Sequence, residues 1–325
     1  MNELLARGNK VLSPVMGHFT QLEIEKGEGC YLITPDGTRY LDMSAGIGVT
    51  STGHCHPRIV EAIQVQSEKL IHACAGVVYY SPNIALAEKL APKLGHDLSS
   101  FFFTQSGSEA VEAALKLARY TQKKEGIIAF KGGFHGRTMG SLSITSSKDK
   151  YRDGYPVVPG TKFFPYPYLY HPEFAGADNI DDYLLAMDSF FKEVASECAA
   201  VIIEPILGEG GYVPCPSPVM TRLRELCDQY ELLLIADEIQ TGVGRTGKWF
   251  AYQHYGIVPD IVALAKGMAS GMPLGACVAS PELMAKWTTG SHGGTFGGNP
   301  VSCAAGIATL EVLSECIEGI SDKGN

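Results

Sequence analysis

Residues 261–275, IVALAKGMASGMPLG, set an unbroken apolar run against a turn of glycine and small residues, with one lysine at the junction. Ile261-Val262-Ala263-Leu264-Ala265 has the continuous hydrophobicity of a strand buried on both faces of a parallel sheet. Such a strand delivers Lys266 directly into the turn that follows. A lysine held there loses water, so its ammonium is disfavoured and the neutral amine, a nucleophile toward aldehydes, gains population. The alternative is a lysine that snorkels out of a strand end with its charge in solvent. The residues upstream decide between the two.

The chain has 325 residues, 45% of them apolar, and 37 glycines, enough for one large α/β domain with smaller appendages. A net charge of −9 without a long basic run excludes nucleic acid and anionic membrane surfaces as main partners and favours a small molecule. The N-terminal MNELLARGNKVLSPV lacks a sustained hydrophobic segment, and no apolar run has the length of a bilayer span, so a cytoplasmic protein is expected. Cys30, Cys55, Cys74, Cys198, Cys215, Cys227, Cys277, Cys303 and Cys316 are odd in number, scattered and never spaced C-x-x-C. Free thiols, mostly buried, are expected.

Within residues 1–50, Pro35-Asp36-Gly37 marks a turn between two alternating runs of a hairpin-like segment. His54-Cys55-His56 lacks a second ligand pair, and adjacent ligands cannot all face one ion, so no metal site is expected. Helical periodicity follows over residues 57–70 and 83–94. Residues 101–104 read as a strand. Val111, Ala114, Leu115 and Ala118 then recur at helical spacing, and Ser106 and Glu109 have the S-x-x-E spacing of a capping box. That helix start, Ser106-Gly107-Ser108, offers free amides to an anion such as a phosphate ester. By itself it is an ordinary capped helix.

Residues 127–130 form the next short strand, leading into the glycine loop Lys131-Gly132-Gly133-Phe134-His135-Gly136-Arg137. Residues 151–174, rich in proline and aromatics without a period, read as a long ordered loop over the site. AAVIIEP ends at Glu204, and the loop after it carries Glu209. A helix over residues 219–230 leads into LLLIADEIQ, a buried strand that delivers Asp237 and Glu238 to its carboxyl end, where open α/β sheets bind ligands. Residues 242–248, GVGRTGK, match two nucleotide-loop patterns but follow the acidic strand and have Trp249 where Ser or Thr is required. Nucleotide binding is therefore not expected. A helix over residues 303–315 closes the pattern.

A phosphate-ready helix start, an aromatic in a glycine loop, an aspartate on a buried strand and a strand-end lysine 29 residues later are the parts needed to hold pyridoxal phosphate. The stretches SGSEAVEAALKLAR, FHGRTMGSL, IIEPILGEGG, LLLIADEIQTGVGRTGKWFA, PDIVALAKGMASGMPLGA and GGTFGGNPVSCAA closely resemble class III (ω-amino acid) aminotransferases, and they occur in that family's order over about residues 40–310. The resemblance implies the fold-type-I α/β architecture, a mostly parallel sheet flanked by helices, with pyridoxal 5′-phosphate as cofactor. It implies that Lys266 bonds to the cofactor and moves the proton, and that Asp237 partners the ring nitrogen. Gln240 would bond the ring hydroxyl oxygen and Phe134 would stack on the ring. Ser106, Gly107 and Ser108 would hold the phosphate, joined by Thr295 from a neighbouring subunit, so the implied unit is a homodimer or a dimer of dimers.

For substrates, the resemblance implies that Arg137 binds a carboxylate and that Glu209 forms a switchable ion pair with a second arginine. Glu204 would support the cofactor network, and Ile47 would line the entrance. His135 lies in the cofactor set, as a residue that fixes the loop and not as a base. Glu238 is expected as a local salt bridge or cap, Arg245 as a solvated residue, and Cys277 and Cys303 as packing. The implied reaction moves an ω-amino group, from 4-aminobutyrate or from acetylornithine, ornithine or a related amine, to 2-oxoglutarate. The implied domains are residues 1–48 as an N-terminal segment of a small domain, 49–312 as the cofactor-binding domain and 313–325 as the start of the C-terminal small domain. The rest of that domain, on the order of 100 residues including the second arginine, would lie outside the chain. Two alternatives stay open: a catalytically deficient cofactor-binding or dimerising module, and a racemase or aminomutase on the same scaffold.

Overall fold

The computed structural model describes residues 3–168 and 179–324. In chain order the first elements are α1 (Glu3–Val11), β1 (Lys26–Glu28), β2 (Tyr31–Ile33), β3 (Arg39–Leu41), α2 (Ala45–Gly48), α3 (Pro57–Lys69), α4 (Ser81–Leu94) and β4 (Ser100–Thr104). They are followed by α5 (Gly107–Gln122), β5 (Gly126–Lys131), α6 (Met139–Ser143), β6 (Thr161–Pro165), α7 (Ile180–Val194), β7 (Cys198–Ile203), β8 (Ile206–Leu207), β9 (Val213–Pro214) and α8 (Ser217–Tyr230). The last are β10 (Leu233–Asp237), β11 (Ile261–Leu264), β12 (Gly275–Ala279), α9 (Pro281–Ala285), α10 (Pro300–Ser314) and α11 (Glu318–Gly324).

Seven strands form the central sheet in the order β4-β12-β11-β10-β7-β5-β6. β12 runs antiparallel to both of its neighbours, β11 and β4; every other pairing is parallel. The apolar runs are continuous because both faces are covered. Leu233 and Ile235 of β10, with Ile261 and Ala263 of β11, pack against α5 through Ala110, Val111, Ala114 and Leu117. Leu234, with Val201 and Ile203 of β7, faces the other way onto Met187 and Phe191 of α7 and Leu223 and Leu226 of α8. Farther along that second face, Val262, Leu264 and Val278 pack on Leu86 and Leu90 of α4 and on Ala305 and Leu310 of α10. The result is a helix–sheet–helix sandwich whose period-2 alternation assigns each strand residue to one layer.

β1, β2 and β3 form a separate antiparallel meander. Its Pro35-Asp36-Gly37 turn closes as expected, with the Asp36 carboxylate accepting from the Thr38 amide at 3.0 Å. α1 was not foreseen; it buries none of its residues. The reading of residues 151–174 as one long loop is corrected: β6 pairs in parallel with β5 from Thr161 to Pro165. Five residues at a sheet edge, ending on a proline that an edge tolerates, give too little alternation to read. Residues 169–174 lie outside the described residues. The loop after β7 likewise contains the β8–β9 hairpin.

The glycine run at 242–248 opens no helix and folds into successive turns, with the Gly242 amide on the Glu238 carbonyl at 2.9 Å and the Gly247 amide on the Gly244 carbonyl at 3.1 Å. His54 is spoken for by Asp42, whose Oδ2 lies 2.8 Å from His54 Nε2. All nine cysteines are free; Cys198, Cys215, Cys227, Cys277 and Cys303 are buried. Among the described residues, no helix is long and apolar enough to cross a membrane.

Candidate active site

Five parallel strands, β4, β5, β7, β10 and β11, turn at their carboxyl ends around one cavity of about 340 Å³. That is within the ordinary range of small-ligand sites, roughly 300–1,000 Å³. β4 leads through Gln105 into the start of α5. Ser106 caps the helix, its Oγ accepting from the Glu109 amide at 3.3 Å. The reciprocal arm lands one residue earlier than the capping-box spacing predicts: the Glu109 carboxylate accepts from the Gln105 amide at 2.9 Å. The first-turn amides of Gly107 and Ser108 have no intrahelical acceptor and sit at the positive end of a 16-residue helix on the cavity wall. A Cβ on Gly107 would stand 3.0 Å from Ile239, so a larger residue would push the cradle off the strand end.

β5 delivers the loop bearing Phe134 and His135, β7 delivers Glu204, and β10 delivers Asp237. The buried Asp237 Oδ2 meets His135 Nδ1 at 2.7 Å, and its Oδ1 accepts from the Ile239 amide at 3.1 Å. Burial works against a charged imidazole, but the hydrogen bond and charge of Asp237, with help from Glu204, outweigh it and raise the His135 pKa. His135 therefore does more than fix the loop: its ring engages the buried aspartate. Glu204, also buried, accepts from the Phe134 amide at 2.8 Å and the Gly208 amide at 2.9 Å, joining the β5 and β7 loops. Burial drives its pKa up, against the opposing pull of His135.

β11 ends at Leu264, and two residues later Lys266 adopts φ 46°, a left-handed conformation that costs a non-glycine residue about 1–2 kcal/mol. Its Nζ donates to Gln240 Oε1 in the turn after β10. Burial lowers the Lys266 pKa; Asp237 and Glu204 oppose that and Arg245 adds to it. The amine is thus biased toward its neutral, nucleophilic form inside a site that also holds the carboxylates of Glu204, Glu209 and Asp237.

Ser106, Gly107, Ser108, Phe134, His135, Glu204, Glu209, Asp237, Gln240 and Lys266 all line the cavity. Ile47, Arg137 and Thr295 do not. Ile47 sits on the left-handed turn α2, 65% exposed, and Val49 takes the wall instead. Arg137 is exposed, its guanidinium 4.3 Å from the Tyr151 ring centre and 5.8 Å from that of Phe134. Thr295 is exposed and away from the wall. The arginine partner expected for Glu209 is replaced here by Lys148, and Tyr151 donates its hydroxyl to the same Glu209 oxygen at 2.9 Å. Burial of Glu209 is outweighed by these hydrogen bonds, led by that of Lys148, and its pKa falls.

Lys148 and Tyr151 escaped sequence reading because they sit in an aperiodic stretch with no motif. Glu238 was underestimated: it is fully buried, accepts from the Tyr252 amide at 2.7 Å and the Thr241 hydroxyl at 2.5 Å, and so secures the turn behind Asp237. The donor set suits pyridoxal phosphate. An amine whose pKa burial lowers can take an aldehyde, a buried carboxylate can face a ring nitrogen, the Phe134 ring is available on the wall, and unpaired helix amides can take a phosphate.

The profile of the family described as Aminotransferase class-III matches residues 13–323. The acetylornithine aminotransferase of Archaeoglobus fulgidus is 46% identical over 92% of this chain and 74% of its own length. The 5-aminovalerate aminotransferase DavT of Pseudomonas putida is 40% identical over 92% of this chain and 70% of its own. Among solved structures, an amine transaminase from an uncultivated Pseudomonas species, in its PLP-bound form, superposes with a TM-score of 0.88 at 30% identity, covering 95% of this chain and 76% of that one.

Proposed function

Because the chain belongs to the class-III aminotransferases, enzymes that depend on pyridoxal phosphate, we propose that it moves the terminal amino group of an ω-amino donor to 2-oxoglutarate. 4-Aminobutyrate, acetylornithine and 5-aminovalerate are the donors of choice, the last two supported by the names of the relatives. The observation that carries the reading is the buried, depressed-pKa Lys266 amine sharing one cavity with the Asp237–His135 pair.

When bound, the cofactor supplies an aldehyde carbon and an electron-withdrawing ring that stores the amino group between two substrates. In our reading Lys266 would hold the cofactor through its amine and would move the proton at the substrate carbon that bears nitrogen. Asp237, hydrogen-bonded to His135, would face the ring nitrogen. Gln240, within reach of Lys266, bonds the ring hydroxyl oxygen. Phe134, fixed by Glu204 through its amide, covers the ring. Ser106, Gly107 and Ser108 cradle the phosphate. Arg137 receives a substrate carboxylate, Glu209 balances charge at the entrance, and Ile47 borders it. Donor and acceptor then use the same site in turn, a ping-pong order.

We assign the protein a homodimer with shared sites, to which Thr295 contributes from the partner; its position off its own cavity wall supports this. Residues 49–312 are proposed as the cofactor-binding domain, since the whole central sheet falls within them, and 1–48 and 313–325 as parts of a smaller one. The test is a visible absorbance spectrum of the protein with added pyridoxal phosphate, beside Lys266→Ala, before and after each donor. A band that requires Lys266 and bleaches with an ω-amine is expected. The absence of any Lys266-dependent band would sink the proposal.

A further inference from the structure

Tyr151 touches two residues of the cavity wall, Phe134 and Glu209, and also Arg137, which lies off the wall beside the Phe134 ring; Tyr151 is not itself on the wall. The Arg137 guanidinium lies 4.3 Å from its ring centre, at cation–π distance. The Phe134 ring meets it edge-on, 5.8 Å away at 72°. Its hydroxyl donates to Glu209 at 2.9 Å. Lys148, one helical turn earlier, bonds the same Glu209 oxygen, and the Tyr151 amide closes that turn on the Lys148 carbonyl at 3.1 Å. The ring is therefore pinned at both ends. Arg137, by contrast, has no carboxylate partner among the described residues and depends on ring faces for its position.

We propose that Tyr151 is a positioning residue for substrate recognition: it holds the Arg137 guanidinium at the cavity mouth and so sets the preference for amino donors that carry a distal carboxylate. The inference rests on the reading that Arg137 receives that carboxylate. A guanidinium lying on a ring face keeps its in-plane donors free for a carboxylate fork. An unrestrained arginine on this exposed loop would have to surrender its side-chain freedom at each binding event. Anchoring of Tyr151 by Glu209 and Lys148 links the site's acid to its base through one ring, with Phe134 and Glu209 both on the cavity wall.

The experiment follows bleaching of the cofactor band in the loaded enzyme in single turnovers with 4-aminobutyrate and with butylamine, which lacks the carboxylate. Tyr151→Phe keeps the ring and is expected within about threefold of wild type. Tyr151→Leu and Tyr151→Gln remove it, and the half-saturating 4-aminobutyrate concentration should rise about tenfold while the limiting rate stays within about twofold. Butylamine kinetics should not change; where wild type uses it too slowly to measure, the split between half-saturation and limiting rate on 4-aminobutyrate decides. A ringless variant that loses limiting rate, or loses both donors equally, refutes the proposal in favour of a prop for Phe134. Arg137→Leu separates the premise. If it leaves 4-aminobutyrate half-saturation unchanged, the assignment of Arg137 falls and this proposal with it. If it raises half-saturation while the Tyr151 variants do not, only the Tyr151 assignment falls.

Discussion

Glu238→Gln should make the apoprotein more stable at pH 8 than the native sequence, and no more stable near pH 4.5 apart from a constant offset. Glu238 is fully buried, and burial pushes its pKa from the usual 4.5 up to about 7, against the hydrogen bonds from Thr241 and the Tyr252 amide. The folded value is thus above the unfolded one. Between pH 4.5 and 7 the unfolded chain releases this proton while the folded chain keeps it, so stability falls as pH rises. A gap of about 2.5 units at 1.36 kcal/mol per unit makes the fall about 3 kcal/mol. Glutamine has the same shape and cannot ionise. Its oxygen can accept from the Tyr252 amide and its nitrogen can donate to the Thr241 hydroxyl oxygen, and whatever the reversed Thr241 bond costs is the same at every pH. Urea unfolding of both proteins at pH 5, 6, 7 and 8 cancels every other titration in the difference. The advantage of Glu238→Gln should grow by about 3 kcal/mol across that window and then level off. A difference independent of pH, or one that shrinks toward pH 8, would refute the argument that burial dominates at this position.

Two further substitutions test the geometry around the cavity. His135→Leu removes the 2.7 Å partner of a carboxylate that stays buried, which should cost about 3–5 kcal/mol of apoprotein stability by denaturant unfolding; a loss under 1 kcal/mol would mean that Asp237 is solvated. Gly136→Ala places a Cβ 2.4 Å from Ser108 Oγ at a backbone φ of 129°, a region that alanine rarely adopts. Displacement of Ser108 should weaken pyridoxal phosphate binding at least tenfold in a fluorescence titration, with inorganic phosphate competing less well against it.

Much of this site could be read from one-dimensional signals because buried parallel strands leave a particular trace. Each is an apolar run with no polar interruption, so the first polar residue after it stands out, and that rule finds Glu204, Asp237 and Lys266. Ser106 is legible for a different reason, since a capping residue is fixed by its own helix and needs no distant partner. What sequence could not supply is adjacency. His135 and Asp237 are 102 residues apart, and they meet because β5 and β10 flank β7 in the sheet. Lys148 meets Glu209 across 61 residues for a related reason, and no local pattern announces either contact. Strand direction was equally hidden: GACVA, residues 275–279, has the same composition in either sense, yet β12 alone runs against the rest. β6 is the opposite case, because its five residues carry too few alternations to separate a strand from a loop.

β12 also sets the timetable of synthesis. β4, the strand that leads into the phosphate cradle, finds its partner in β12, where Thr104 pairs with Gly275, 171 residues farther along. At about 5–20 residues per second, a ribosome needs roughly 10–30 s to make that stretch. Throughout that interval β4 has emerged with neither edge hydrogen-bonded in the sheet, while β5, β6 and β7 can already pair with one another. The anion-binding corner of the molecule is therefore the last part of the sheet to close, and the nascent chain presents an apolar strand, SFFFT, to whatever holds unfinished proteins in the cell.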